Sequence, residues 1–193
     1  MYKGTNASDG IGIGTAVIVE EAELIITRRE VNDTEAEVQR FKGALETTIA
    51  ETQKMAEDLA ARVGEKEAEI MQGHMMLLSD PMLTGEIENS IQNDKVNSEF
   101  AIENVCNMYA DMFASMGDEL MQQRATDMRD IKVRMQRTLM GLQSVDVSAL
   151  PAGTILVAKD LTPSMTAGIN PANVTGICLL YTSDAADDRI SVD

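Results

Sequence analysis

Tryptophan is absent from the 193-residue sequence, which also has three Phe, three Tyr, one His and two Cys. A single histidine and two distant cysteines exclude a His/Cys zinc site and a disulfide framework. No apolar run approaches the roughly 20 residues that span a bilayer, so no membrane insertion is expected. The first residues lack the apolar core of a secretory signal. A cytoplasmic protein with two reduced, mostly buried thiols is the expectation.

Basic residues are scarce as well, because 16 Lys and Arg stand against 32 Asp and Glu, a formal net charge of −16. A surface this acidic repels phosphate backbones, so no nucleic-acid binding is predicted. It would speed encounter with a basic protein partner. Simple solubility is the alternative, and charge alone does not decide between the two.

Methionine, in contrast, is abundant, with 14 residues. Its flexible side chain suits both an irregular core and an adaptable binding surface. A core role explains at least half of them, and some are expected to be exposed.

Hydrophobic periodicity separates two strand-like ends from a helical middle. Strands are predicted at 10–19, 24–26 and 154–158, and from residue 174 onward. The Gly10, Gly12 and Gly14 spacing is not that of a dinucleotide-binding loop. Five helices are predicted in the middle: 34 to about 64, about 65–78, 81 to about 93, 98–116 and about 119–139.

The ends of these helices carry capping signals. Thr34 and Glu37 resemble a capping box, with Asn32 or Asp33 as other possible caps. Asp80 and Pro81 begin the third helix, and Gly141 closes the fifth.

The predicted fold is an α/β domain with an inserted all-α helical bundle. Residues 1–31 and 143–178 form the two parts of the α/β domain, 32–142 form the bundle, and 179–193 form a probable non-native tail.

Four sequence blocks stand out: A-S-D-G-I-G-I-G at 7–14, Q-G-H-M-M-L-L-S-D-P at 72–81, R-A-T-D-M-R-D-I at 124–131 and I-L-V-A-K-D-L-T-P-S at 155–164. These blocks resemble enzyme I of the bacterial phosphotransferase system, the phosphoenolpyruvate-protein phosphotransferase family. Their order and spacing make the resemblance specific.

This resemblance implies a relay in which phosphoenolpyruvate phosphorylates a histidine on an α/β phosphohistidine-type domain. The helical insertion then docks the phosphocarrier HPr, which receives the phosphoryl group. For the full-length enzyme it also implies Mg²⁺ and a homodimer, both belonging to a carboxy-terminal portion.

The sequence departs from the family after Cys178, because the slot of the acceptor histidine falls at Asp187 and the glycines of its loop are missing. We therefore expect an amino-terminal fragment that can at most bind HPr, whose last residues are an artefact. The alternatives are an enzyme I-like segment of a multiphosphoryl transfer or dihydroxyacetone-kinase phosphotransfer protein, or a non-catalytic helical module.

The resemblance also implies site residues. Thr166 matches a threonine that supports the active imidazole, and Arg124 lies near the transferring phosphate. For Arg124, a surface pair with Asp127 is the alternative. His74 lies within a helix and is either a surface or partly packed side chain or a contact to HPr, not the phosphoacceptor. The full set of predicted HPr contacts is Glu65, His74, Met76, Leu77, Leu83, Phe113, Met116, Met121, Arg124 and Arg129.

The helical block is expected to fold, whereas the α/β part is expected to be less stable. Its segments 154–158 and 174–180 are predicted to be underpaired and to expose strand edges.

Overall fold

The computed structural model describes residues 7–8, 10–20, 23–142 and 145–180. The chain divides into two compact units. Of the described residues, 7–8, 10–20, 146–161 and 169–180 form the sheet unit, and 23–142, 145 and 162–168 form the helical unit. The division places 23–31 and 162–168 with the helices, although both stretches were expected in the α/β domain.

Helix boundaries in the helical unit confirm the predicted ones to within about two residues. The helices are α1 (Thr34–Arg62), α2 (Glu65–Leu78), α3 (Pro81–Asp94), α4 (Ser98–Ser115), α5 (Glu119–Met140) and the short α6 (Pro163–Gly168). Within the described ranges, no helix is long and apolar enough to cross a membrane.

The core of the helical unit forms where the apolar stripes of these helices meet. On α1, Val38, Phe41 and Leu59 recur at helical spacing and are buried. Each fully buried side chain of this size contributes about 1.5–3 kcal/mol relative to an exposed one. Val38 and Phe41 belong to the main cluster, whereas Leu59 packs with Met71 and Ala167 in a separate one. The main cluster also includes Leu78, Leu83, Ile87, Ile91, Ile102, Met128, Ile131 and Met135 from α2 to α5.

Asp33 is the cap of α1, and its Oδ1 accepts a hydrogen bond from the Ala36 amide at 3.0 Å. The predicted capping box of Thr34 and Glu37 is wrong, because the Glu37 carboxylate accepts from the Ser98 amide at 2.7 Å instead. The predicted Asp80 cap is confirmed, with the Met82 amide donating to it at 2.8 Å. Gly141 closes α5 at φ 65°, a left-handed conformation that favours glycine.

Glu99 links α1, the loop before α4 and α4 itself. Its carboxylate accepts hydrogen bonds from both Arg40 Nη atoms and from Asn97 Nδ2, the last at 2.9 Å. Burial would raise the pKa of Glu99, but these hydrogen bonds outweigh burial and lower it to about 2. The carboxylate is therefore a charged structural element of the helical unit.

The segment 24–26 is not a strand, which corrects the prediction. The backbone just beyond it hydrogen-bonds to the loop before α4. The Arg29 amide donates to Asn97 Oδ1 at 2.8 Å, and the Val31 amide donates to the Lys95 carbonyl at 2.9 Å. Its apolar residues therefore belong to a connector that is held by a loop rather than by a sheet.

The sheet unit contains three parallel strands, β1 (Thr15–Val19), β2 (Thr154–Ala158) and β3 (Val174–Leu179), in the order β1-β2-β3. A 3₁₀ turn precedes β2 at Val147–Ala149. Because β2 pairs on both sides, the prediction that 154–158 is underpaired is wrong. In the described sheet, β1 and β3 are the edges.

The glycine-rich approach to β1 serves close packing. A side chain at Gly12 or Gly14 would overlap the carbonyl oxygen of Thr175 or Gly153, respectively. The strand therefore begins at Thr15, later than the predicted residue 10.

The two cysteines differ in environment. Cys106 is buried in the helical core, and burial raises the pKa of its thiol to about 12. Cys178 on β3 is exposed, so the expectation of mostly buried thiols is right for Cys106 and wrong for Cys178.

Candidate functional site

The predicted docking residues fall on the second to fifth helices of the helical unit, and most of them reach the surface. Met76 and Met116 are 71% and 54% exposed. Glu65 and Arg129 are exposed as well, and a further group is partly buried: Leu77, Phe113, Met121 and Arg124. Phe113 packs its ring against Tyr109, with centroids 6.3 Å apart.

The methionines divide into two groups by burial. Met71, Met128 and Met135 are at most 1% exposed and belong to the interior. Five others are between 42% and 71% exposed: Met76 on α2, Met82 on α3, Met108 and Met112 on α4, and Met116 directly after α4. The last three are spaced at intervals of four residues and therefore share one side of that helix.

Leu83 and His74 are buried, which corrects their assignment as partner contacts. Leu83 is 2% exposed, because it begins the core stripe that continues on α3 as Ile87 and Ile91. His74 is 0% exposed, so the expectation of a surface or partly packed histidine is wrong. It lies three residues after Met71 and four before Leu78, both buried, and so shares their face of α2.

His74 lies between two carboxylates of α5. Its Nε2 is 3.2 Å from Asp127 Oδ1, and its Nδ1 is 3.6 Å from Asp130 Oδ2. Since an ionised carboxylate only accepts hydrogen bonds, the Asp127 contact places a proton on Nε2. Nδ1 is buried without a hydrogen bond in the described structure. A ring enclosed in this way is not accessible for phosphoryl transfer.

Asp130 joins this cluster to α6. Its two carboxylate oxygens accept hydrogen bonds from the Ser164 amide at 3.1 Å and from the Ser164 hydroxyl at 2.8 Å. At the other end of α6, the Arg62 guanidinium donates to the Ala167 carbonyl at 2.7 Å. A carboxylate at the N-terminus and a guanidinium at the C-terminus both match the helix dipole. Side chains from α1 and α5 thus hold α6 at both ends.

Arg134, one turn beyond Asp130 on α5, is buried as well. Burial lowers its pKa, while the carboxylates of Asp130 and Glu51 oppose that shift. Its two Nη atoms are buried and form no hydrogen bond within the described residues.

The two predicted arginines differ in their surroundings. Arg124 is 31% exposed at its side chain, and its Nη1 lies 3.4 Å from Asp127 Oδ2. The pairing of Arg124 with Asp127 is therefore confirmed. Arg129 is exposed on the same helix, and in the described part of the chain it has no ion pair. Thr166 is exposed on α6, where its hydroxyl donates to the Thr162 carbonyl at 3.0 Å.

Asp187, at the slot expected for the phosphoacceptor, and most of the predicted tail at 179–193 lie outside the described residues. Leu179 is the last residue of β3. Among the residues that the structure describes, no group of three or more His, Cys, Asp and Glu side chains could hold a metal ion.

These observations define a helical unit with exposed methionines on an acidic chain, and a small parallel sheet. The family model for the N-terminal region of PEP-utilising enzymes matches residues 3–124. Because this match covers more than half of the chain, the chain belongs to the family of phosphoenolpyruvate-utilising enzymes.

Curated relatives narrow the likeness within this family. The chain is 41% identical over 174 residues to the phosphoenolpyruvate-protein phosphotransferase of Listeria monocytogenes, and 38% identical over 174 residues to that of Bacillus subtilis. Each alignment covers 90% of this chain and 30% of the relative. The chain thus spans about a third of the length of these relatives. Both are named phosphoenolpyruvate-protein phosphotransferase, and neither bears the name of a multiphosphoryl transfer or dihydroxyacetone-kinase phosphotransfer protein.

Solved structures show the same fold. A solution structure of an Enzyme I protein matches with a TM-score of 0.83 at 36% identity, covering 92% of this chain and 72% of that one. The N-terminal domain of the nitrogen Enzyme 1 matches with a TM-score of 0.63 at 26% identity, covering 87% and 69%. The helical domain with a small parallel sheet is therefore shared with enzyme I.

Sequence reasoning missed the roles of Asp130, Ser164 and Gly73. Asp130 and Ser164 are 34 residues apart and meet only in the folded unit. No role was predicted for Gly73, where a side chain would overlap the Arg124 guanidinium. A usable signal was present for His74, since its spacing from Met71 and Leu78 places it on the buried face of α2.

Proposed function

We propose that this chain is the partner-docking portion of a phosphoenolpyruvate-protein phosphotransferase, and that its helical unit binds the phosphocarrier HPr. The observation that carries this proposal is the set of exposed methionines on the helices that also hold the partly buried Leu77, Phe113 and Met121. The relatives' name supplies the reaction class.

The chemistry of the surface suits such a partner. Apolar side chains that remain exposed within a polar surface are typical of interaction sites. Flexible methionines can adapt to a second surface at little strain. The net charge of −16 favours a basic partner and accelerates its approach at low ionic strength.

Docking, rather than phosphoryl transfer, is the activity that we assign to the chain as written. The single histidine is His74, and its side chain has no exposed surface. In the relay, a histidine attacks the phosphoryl group, and no other histidine is present to do so. The helices therefore contribute binding and orientation of HPr.

The remaining expectations belong to the full-length enzyme. We propose that the small sheet is part of the α/β phosphohistidine-type domain. We also propose that Thr166 occupies the position of the threonine that supports the active imidazole in enzyme I. Phosphoenolpyruvate as donor, a Mg²⁺ requirement, a homodimer and a cytoplasmic location are proposed for the whole protein. No step proposed for this chain uses a metal ion.

Calorimetric titration of the chain with HPr tests the proposal. Met76→Lys places a charge at an exposed apolar position and is expected to weaken binding at least about tenfold, a loss of about 1.4 kcal/mol. Met140→Lys makes the same change at the 41% exposed end of α5 and serves as the control, with affinity near that of the parent chain. Absence of HPr binding by the parent chain, or equal effects of the two variants, would contradict the proposed docking surface.

A further inference from the structure

The path of the Arg124 side chain depends on the absence of a side chain at residue 73. A Cβ built on Gly73 would overlap Arg124 Nη1 and come within 3.6 Å of Arg124 Nη2. Gly73 lies inside α2, where glycine is less favourable than alanine. The guanidinium of α5 thus occupies the space above the α2 backbone that any other residue would fill.

Asp127 contacts the same guanidinium. Its Oδ2 lies 3.4 Å from Arg124 Nη1, and its Oδ1 lies 3.2 Å from His74 Nε2. The carboxylate is 14% exposed, between the fully buried imidazole and the guanidinium. The contact to the imidazole of the packed helix α2 holds one oxygen of Asp127, so its other oxygen stays directed at Arg124.

Arg129 shows what an arginine on α5 does without this support. It is exposed and has no ion pair within the described residues. Ordering a free arginine side chain on binding costs conformational entropy. In the folded unit the contact to Asp127 already restrains the Arg124 side chain, while 31% of it stays accessible. Arg124 therefore loses less conformational entropy when it binds a ligand.

We infer that Asp127, anchored by His74 and given room by Gly73, is a positioning residue that holds the Arg124 guanidinium ready for an anionic oxygen of the docking partner. The ligand class is a phosphoryl or carboxylate oxygen, which a guanidinium binds through charge-assisted hydrogen bonds. The inference rests on the proposed docking of HPr for its functional meaning. The restraint on Arg124 is a property of this chain alone and can be measured without the partner.

Side-chain ¹⁵N nuclear magnetic resonance of the whole chain measures the restraint directly, through the rotation of the Arg124 guanidinium about its Nε–Cζ bond. Asp127→Asn is expected to accelerate this rotation at least about tenfold, since the charge-assisted contact is lost. Asp58→Asn, the same change at an exposed aspartate of α1, is expected to leave it unchanged. Arg129 serves as the internal reference for an unrestrained guanidinium.

Gly73→Ala provides a second variant that displaces Arg124 without altering any charge. It is expected to free the guanidinium as Asp127→Asn does, while the circular dichroism of the helices is retained. If Arg124 rotates as in the parent chain in either folded variant, the inference is overturned.

Affinity for HPr gives the functional reading. Arg124→Lys is expected to weaken binding about fivefold to tenfold, as for the loss of one charge-assisted contact. Asp127→Asn is expected to weaken it by a similar factor, and the double variant to be no weaker than Arg124→Lys alone. Factors that multiply would show that Asp127 acts independently of Arg124 and would overturn the inference. If the parent chain does not bind HPr while the guanidinium restraint is observed, the proposed function fails and the restraint stands.

Discussion

The helical unit and the sheet unit bury their apolar residues to very different extents. In the helical unit, Phe41, Ile87 and Ile91 have no exposed surface. In the sheet unit, Ile18 on β1 is 66% exposed and Ile177 on β3 is 50% exposed, and of the three strands β2 alone alternates strictly between buried and partly buried residues. Parallel sheets are normally covered on both faces. The helices therefore have a hydrophobic core of their own, whereas the described sheet buries few apolar side chains.

Truncating one isoleucine in each unit tests this difference in burial. Ile87→Ala is expected to lower the free energy of unfolding by about 2–5 kcal/mol, because it opens a cavity in the helical core. Ile18→Ala is expected to change it by less than about 0.5 kcal/mol, because the side chain is largely exposed. Urea denaturation followed by helical circular dichroism measures both. Equal losses would show that the two units share one cooperative core.

Glu99 gives a pH-dependent contribution that is specific to the helical unit. Its folded pKa of about 2 lies below the ordinary value of 4.5, so its stabilisation is fully present above about pH 4.5 and is lost as the pH falls toward 2. Glu99→Gln is expected to cost about 2 kcal/mol at neutral pH, after allowance for screening. The difference from the parent chain should shrink below pH 4.5.

Glu46→Gln, at an exposed site on α1, is the charge-matched control for this experiment. Unfolding free energies measured between pH 2 and 7 give the comparison. A constant difference between Glu99→Gln and the parent chain over that whole range would show that the Glu99 charge does not stabilise the helical unit.

α6 follows β2 in sequence but lies in the helical unit. Its stability therefore tests where the boundary between the two units lies. Ser164→Ala is expected to destabilise that unit by about 1–2 kcal/mol, because the buried Asp130 carboxylate loses the hydrogen bond from the Ser164 hydroxyl while the amide at residue 164 still donates to it. Thr166→Ala, at an exposed position of the same helix, is expected to change stability by under about 0.5 kcal/mol.

Amide hydrogen exchange extends this test. The amides of α6 should exchange at the rate of the helical core rather than at the rate of β3. Exchange of α6 together with the strands, and equal stability of the two variants, would remove α6 from the helical unit.

Much of the helical architecture could be predicted from the sequence, because its signals are local. The Asp80 and Pro81 pair and the glycine at 141 mark helix ends, and the apolar stripe of α1 fixes its buried face. The choice of Asp33 over the Thr34 and Glu37 box could not be predicted, because it depends on Ser98, 61 residues away from Glu37. The connector that contains 24–26 could not be predicted for the same reason, because the Arg29 amide just beyond it donates to Asn97, 68 residues away.

The site was predicted in part. The family motifs led to Met76, Met116 and Arg124, which the structure leaves at least partly exposed. They did not reveal that His74 and Leu83 are covered, because burial depends on which neighbouring helix packs over each face. The Asp127 and Asp130 contacts to His74 required the docking of α2 against α5.

Titration of the methyl-labelled methionines with HPr tests the central claim, that the exposed apolar side chains of the helical unit form a docking surface. We expect the methyl resonances of the exposed methionines to shift, namely Met76, Met82, Met108, Met112 and Met116. The resonances of the buried Met71, Met128 and Met135, and of the exposed Met140, should stay unchanged. Absence of any shift at saturating HPr, or shifts of Met140 as large as those of Met76, would contradict it.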